Sequence, residues 1–469
     1  MKETESAVPP EVQSASAHES VVPLTPSLEC VGRSLDEHRV RFVRIVWCDN
    51  GNVLRSKAFH VNGLQQRFHH GISLSQGQQG VPVMVDAVAE NSGLGPVGEA
   101  WLVPDWSTLT LLPYAPGHAR VMGDMQVGGE AWALCPRAFL RRMVARAAEM
   151  EISVQAAFEP EFYLLQTEQG LRGSADNTPF ASSLSMDLNR SVVDDIAEAL
   201  LQQDLPVECY YPESGPGQHE ISIRYSHALQ AADWHVVFRE TVRGVALQHG
   251  LRASFLPKIF QHHAGSGCHL HTSLWREGEN LTPGIGGEVS AIARHWIGGI
   301  LHHLPALMAL TAPSVNSYRR LQPNLWSGAY RCWGYDNREA AVRVPTNPAP
   351  PSPTHLELKT VDGSANPYLA LGAVIAAGLD GVQQQREPGE AIAVNPSSMS
   401  DPDRHRLGID RLPQTLGEAI AQFNQNSLLH DALGLPLATA FAAVRTAEWV
   451  ALQDYSIEQE VDLLLERYS

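Results

Sequence analysis

Cysteine is sparse and badly spaced for cross-linking: Cys30, Cys48, Cys135, Cys209, Cys268 and Cys332 are scattered through 469 residues without a Cys-x-x-Cys pair. Neither a disulfide framework nor a zinc ribbon is written there, and a reducing setting fits. Basic residues are also scarce, 34 Lys and Arg against 51 Asp and Glu, for a formal charge of −17. Such a surface repels nucleic acid and anionic membranes, so both are excluded as partners. No apolar run is long enough to span a bilayer; the closest, 369–379, is short and followed by Asp380. Residues 1–28, rich in Ser, Pro and Glu, lack the basic start and apolar core of a signal peptide and read as a disordered tail. Glycine-rich phosphate loops of the Walker or dinucleotide type are absent, as are internal repeats. These absences leave a cytoplasmic enzyme acting on small molecules as the expectation.

With 44% apolar residues, the chain can bury a large core and make two or more domains. Residues 39–47 alternate like a strand, Asp49-Asn50-Gly51-Asn52 supplies a tight turn, and 53–59 returns, which together predict a hairpin. Short apolar segments at 81–83, 102–105 and 111–114, with Gly and Pro between them, extend a strand-rich domain over 29–130. At Pro136 the pattern changes to a helix over 137–150. Strands and helices then alternate through a second domain over 131–469, with helices expected at 194–203, 234–249, 290–304 and 369–379.

Chemistry concentrates in a few short stretches. The glycine turn Gly265-Ser266-Gly267 leads into a strand whose period of two places His269, His271 and Ser273 on one face. A wet outer strand face would show the same alternation. In Ala157-Phe158-Glu159-Pro160-Glu161-Phe162 two acids lie two apart within an apolar strand, so both point the same way. Paired acids in a core-like strand repel each other and lose hydration, which calls for a cation. Glu213 and Glu220 flank a Gly/Pro turn that lets both reach one point, and Glu357 faces out of a further alternating strand. Oxygen-rich ligation with one imidazole suits Mg²⁺ or Mn²⁺. Several carboxylates suggest more than one ion, as phosphoryl-transfer sites use. Arg319, Arg320, Arg338 and Arg343 form a cationic set fit for carboxylates or phosphates, though pairing with surface acids would serve equally.

The ordered motifs EPEF, ESGPGQHE, GSGCHLH, NSYRRL, DNREAAVRVP and HLELKTVDGSANPYLAL resemble the glutamine synthetase family from about residue 30 onward. That resemblance implies an α+β fold: a small N-terminal β-grasp domain, then a large catalytic domain with a curved antiparallel sheet flanked by helices. It implies hexameric rings, stacked as a dodecamer, with active sites shared between neighbours. It implies a two-step reaction in which ATP phosphorylates the γ-carboxylate of glutamate and an amine displaces the phosphate. By motif, one metal site resembles Glu161, Glu213 and Glu220, and another Glu159, His269 and Glu357, holding two or three Mg²⁺ or Mn²⁺ ions in all. His271, Ser273 and Arg343 take nucleotide-side positions. Gly265, Arg320 and Lys359 take glutamate-side positions, with Arg320 as the carboxylate clamp. Arg338 and Arg343 take the positions that stabilise charge on the transferred phosphoryl.

Departures from the family point to the acceptor. Ammonia-using members bind ammonium with an aspartate of the small domain and a flap glutamate; here Trp326 stands in the flap, and 50–85 contains no acidic residue. An amine that is neutral near pH 7, or recognised by its apolar body, needs neither group, and a tryptophan can supply apolar and stacking surface, though Trp326 would equally serve to pack the flap. The branch resembled is therefore the γ-glutamyl-amine ligases, with arylamines or alkylamines ahead of ammonia and polyamines. The family's two arginines around the metal glutamate are His355 and Lys359 here, and Ala264 replaces the asparagine before the glycine turn. No tyrosine lies between Tyr368 and Tyr455, the region where some bacterial glutamine synthetases are adenylylated. Two other readings stay open at this point, a glutamine synthetase with a divergent ammonia pocket and a catalytically inactive assembly.

Overall fold

The turn at Asp49-Asn50-Gly51-Asn52 does what its chemistry predicts: Phe42–Cys48 and Leu54–His60 pair antiparallel around it, with Asn52 at φ +62°. The structure, a computed structural model, describes residues 26–166 and 173–468. Of the expected disordered tail, residues 1–25 lie outside that range, while Ser27 caps the helix Leu28–Glu37 through a bond from the Cys30 N–H.

The first sheet runs in the order Leu54–His60, Phe42–Cys48, His118–Val127, Glu99–Leu111 and Ile72–Ser75. Its inner strands pair in parallel, Phe42–Cys48 with His118–Val127, as a β-grasp requires. Two sequence expectations are refined here. The segments at 102–105 and 111 belong to one strand, Glu99–Leu111, whose bulge between Asp105 and Thr110 bends it into what looked like separate pieces. The stretch 81–83 forms no strand; the Val83 N–H is taken instead by the buried Glu448 carboxylate at 2.7 Å.

The second sheet has the order Tyr330–Tyr335, Ala340–Val344, Leu356–Leu358, Cys268–Arg276, Ser153–Gln166, Gln218–Ile223 and Val207–Pro212. All of these pairs are antiparallel except the first, which is parallel. Ser153–Gln166 is its central strand, alternately buried and half-buried from 153 to 160 and fully buried through 161–165. Helices cover one face. Ala228–Gln248 packs on the central strand, and Pro367–Gln383 packs against Ala291–Thr311 and Pro136–Glu149. The helix expected at 369–379 is buried on all sides, as its small apolar residues imply. The helices expected after the first run longer than their apolar patterns suggested: Ser183–Leu201 begins in a polar stretch, Ala228–Gln248 begins ahead of 234, Ala291–Thr311 continues through Pro305, and Pro367–Gln383 outruns 369–379 at both ends. No single helix among the described residues is long and apolar enough to cross a membrane.

Candidate active site

Strand register, which no local pattern encodes, brings the acids together. Glu159 lies opposite His269, and Glu161 lies opposite Glu220 on the other neighbouring strand. One strand further out, Glu357 lies between His271 and Arg343. Residues directly opposite one another share a face, so five strands deliver their polar side chains to one patch.

Glu159, His269 and Glu357 converge most closely, with ligand atoms all within 4.8 Å of one another. His269 turns Nδ1 toward the carboxylates, 3.1 Å from Glu159 Oε2 and 3.3 Å from Glu357 Oε1. Its Nε2 faces Arg320 Nη2 at 3.2 Å and Lys359 Nζ at 3.4 Å. Burial, reinforced by Lys359, pushes the imidazole down to about 4, so the ring is neutral near pH 7, the form a metal ligand requires. Burial opposes ionisation of Glu357, yet Lys359, His269, His271 and Arg343 together hold it down at about 2. Glu159 is likewise held well below the usual carboxylate range, against burial, by bonds to His269 and His271.

The second trio is more loosely arranged. Burial and then Glu213 push Glu161 up to about 7, and burial with Glu159 and Glu161 pushes Glu220 up to about 10. Glu213 is raised as well, by burial foremost. Three carboxylates pushed toward protonation beside two held ionised mark a cluster whose own cationic side chains do not offset its negative charge. The donor set of five carboxylates and one imidazole therefore fits hard divalent cations.

Two residues that sequence reasoning overlooked hold this trio. The Gln218 amide donates to Glu161 Oε2 at 2.9 Å and to the Gly265 carbonyl at 3.1 Å, and the Tyr211 hydroxyl donates to Glu220 Oε1 at 2.7 Å. Gln218 stands two residues before Glu220 on the same strand, so the alternation that selected Glu220 also selects Gln218. Gly267 matters for its size: a Cβ there would lie 2.7 Å from Arg320 Nη2, 2.8 Å from His269 Nε2 and 3.0 Å from Glu161 Oε1.

The remaining candidates divide. Arg320, Lys359 and Arg343 reach the cluster; Arg343 Nη1 lies 2.9 Å from Glu357 Oε2, and Arg320 Nη1 is buried without a partner among the described residues. The Gly265 carbonyl is taken by Gln218. His271 and Ser273 line a cavity of about 450 Å³ with Glu159, His355, Tyr225 and Trp275, room enough for a nucleotide. His355, where the family has arginine, stacks obliquely on His271 with centroids 5.2 Å apart. Arg338 and Trp326 make no hydrogen bond or ion pair with the cluster among the described residues. Arg338 is exposed in the turn before Ala340–Val344, and Trp326 is 59% exposed on the segment 321–328.

Comparison with known proteins shows the family. Residues 27–132 match the model of the glutamine synthetase N-terminal domain, and residues 133–464 that of the glutamine synthetase catalytic domain. The type-1 glutamine synthetase 1 of Dictyostelium discoideum is 34% identical over 457 residues, covering 92% of this chain and 90% of that protein. The gamma-glutamylpolyamine synthetase GlnA3 of Streptomyces coelicolor is 37% identical over 424 residues, covering 87% and 90%. Among solved structures, a GmaS/ADP complex superposes with a TM-score of 0.81 at 29% identity, over 94% of this chain and all of that one.

Proposed function

The chain belongs to the glutamine synthetase family, whose members are ATP-dependent ligases forming carbon–nitrogen bonds, and on that premise we propose that it joins glutamate to a small organic amine. The γ-carboxylate of glutamate attacks the γ-phosphorus of ATP and ADP leaves. The amine nitrogen then attacks the acyl carbon, phosphate leaves with the acyl oxygen, and the nitrogen gives up a proton. Residues 29–130 are read as the small domain and 131–469 as the catalytic domain of a cytoplasmic homo-oligomer, hexameric rings stacked as a dodecamer.

In this reading Glu159, His269 and Glu357 hold one Mg²⁺ or Mn²⁺ ion, and Glu161, Glu213 and Glu220 hold the other site. When bound, such ions neutralise the nucleotide's phosphates. His271 and Ser273 border the nucleotide, and Arg343 reaches its phosphate end. Arg320, whose Nη1 has no partner among the described residues, clamps a carboxylate of glutamate beside Gly265 and Lys359. Arg338 stabilises charge on the phosphoryl as it moves. The convergence of Glu159, His269 and Glu357 within 4.8 Å is the observation that carries the enzymatic reading.

The choice of acceptor rests on the flap. Leu325 and Trp326 expose apolar surface there, at 54% and 59%, and no acid occupies 50–85. A polyamine, the substrate class in the name of the Streptomyces relative, carries several cationic nitrogens and would want several acidic partners; an arylamine is neutral near pH 7, and an alkylamine carries a single charge on an apolar body. Several relatives bear the name glutamine synthetase, so ammonia is the reading to be beaten. Phosphate release from ATP with glutamate and a panel of ammonia, alkylamines, arylamines and polyamines separates them. An alkylamine or arylamine should give the highest kcat/KM, and ammonia in first place would defeat the proposal.

A further inference from the structure

The flap does not hold itself. Residues 321–328 run from the short helix Ser317–Arg320, which carries the proposed glutamate clamp, to the strand Tyr330–Tyr335. Within it Asn324 and Trp326 both adopt the left-handed region, at φ +62° and +54°. A tryptophan is disfavoured there and needs outside support. That support comes from Glu339, which is only 6% exposed. One of its oxygens accepts the Trp326 N–H at 2.8 Å and the other the Asn324 N–H at 3.2 Å. Among the described residues Glu339 forms no ion pair, so these two backbone donors are what compensate a buried carboxylate.

The surroundings make this a fixed mount. Glu339 itself is set by its N–H donating to Asn337 Oδ1 at 3.0 Å, while the Asn337 amide donates to the carbonyls of Ile392 at 2.7 Å and Val394 at 3.1 Å. On the flap side, Asn324 Oδ1 accepts from Asn395 Nδ2 at 2.9 Å and Ser397 Oγ at 2.6 Å. Gly328, at φ +75°, closes the segment against the sheet, where a Cβ would come within 3.0 Å of Ala341 Cα and 3.2 Å of Lys359 Cβ. The flap is thereby tied to the strand Ala340–Val344, which carries Arg343, and its tip turns Leu325 and Trp326 outward.

We propose that Glu339 is the positioning residue of the acceptor site: its buried carboxylate holds the flap backbone in the shape that presents Trp326 and Leu325 to an apolar amine. This rests on the reading of the protein as an amine ligase and adds the device that sets acceptor selectivity. Glu339 touches no substrate. It acts through the flap, so its removal loosens acceptor binding and lets water compete for the acyl phosphate, while ATP and glutamate bind as before.

The test compares Glu339→Gln and Glu339→Ala with the wild type in the full-length protein, using Mg²⁺, ATP, glutamate and whichever acceptor the wild type uses best. Losing both charge-assisted bonds in Glu339→Ala should raise the acceptor KM about tenfold or more. Glu339→Gln, which keeps one acceptor oxygen, should fall between. KM for ATP and for glutamate should stay within about twofold, ADP formation without acceptor should rise, and chymotrypsin should nick the flap at Leu325 or Trp326 sooner. An unchanged acceptor KM, or a parallel rise in all three KM values, would overturn the proposal. Should Glu339→Ala fail to assemble, the near-isosteric Glu339→Gln decides on the same measurements. A wild type that prefers ammonia removes the apolar amine from the proposal, and the positioning of the flap by Glu339 is then judged on the KM for ammonia.

Discussion

Glu220 lies directly across from Glu161 on the neighbouring antiparallel strand, so two buried carboxylates face each other in the sheet. Both are raised, Glu161 to about 7 and Glu220 to about 10, by burial first and by neighbouring carboxylates second. The folded chain therefore binds protons that the unfolded chain has released. Their contribution is most favourable at low pH and is lost as pH rises from the ordinary glutamate range through 7 and toward 10. A divalent ion held there, as proposed, would replace those protons with positive charge. Thermal melts in EDTA and in Mn²⁺ should diverge with pH, the Mn²⁺-induced rise in Tm being several degrees larger at pH 8.5 than at pH 6. An equal rise at both pH values would show that these carboxylates do not hold the ion.

Removing the amide that steadies Glu161 tests the same trio without touching a carboxylate. Gln218 donates to Glu161 at 2.9 Å, to the Gly265 carbonyl and to Ser266 Oγ. A hydrogen bond to a charged group contributes about 1.5–3 kcal/mol, so Gln218→Ala should raise the Mn²⁺ half-saturation concentration about ten- to a hundredfold. Calorimetric titration of the variant checks this, and unchanged affinity would remove Gln218 from the site.

Much of this site was legible in the chain. Alternation in 157–165 and 269–273 places Glu159 with Glu161, and His269 with His271, because side-chain direction along a strand is a local property. Which strands become neighbours is not local. Nothing in the sequence around Glu220 says that it will face Glu161, and the pairing of Glu357 with His271 and Arg343 is equally hidden. Gln218 and Glu339 went unnoticed for a related reason, since an uncharged amide and a lone acid acquire meaning only from partners far along the chain. The fold followed the same rule. The Asn-Gly turn announced its hairpin, whereas the bulge in Glu99–Leu111 disguised one strand as two segments and the polar start of Ser183–Leu201 hid its first turns.

Gly267 gives a steric test of how tightly the cluster is built. A methyl group at this position would crowd Arg320, His269 and Glu161 together. All three are fixed by partners of their own, so little yielding is available. Gly267→Ala should lower kcat/KM by more than about tenfold, equivalent to roughly 1.4 kcal/mol of transition-state stabilisation. The melting temperature should change far less. Activity within twofold of the wild type would mean the side chains have more freedom than the packing indicates.

The small domain is tied to the catalytic domain by a buried ion pair, and breaking it should act on stability first. Arg445 and Glu448, one turn apart on the helix Leu435–Leu452, lie 2.8 Å apart, both almost fully buried. Arg445 also donates to the carbonyls of Asn50 at 2.8 Å and Pro313 at 3.1 Å, and Glu448 accepts the Val83 N–H at 2.7 Å. Each partner thus grips a different part of the 50–85 region while neutralising the other. Burial pushes Glu448 up to about 7 against the pull of Arg445, so the pair is weakest where its carboxylate begins to protonate. Removing one member leaves an uncompensated buried charge, which typically destabilises by about 3–5 kcal/mol. Glu448→Ala should therefore unfold well below the wild type in urea, with Glu448→Gln intermediate because its carbonyl still accepts from Val83. Equal urea midpoints for all three proteins would mean the two domains are held by apolar packing alone, with the ion pair a bystander.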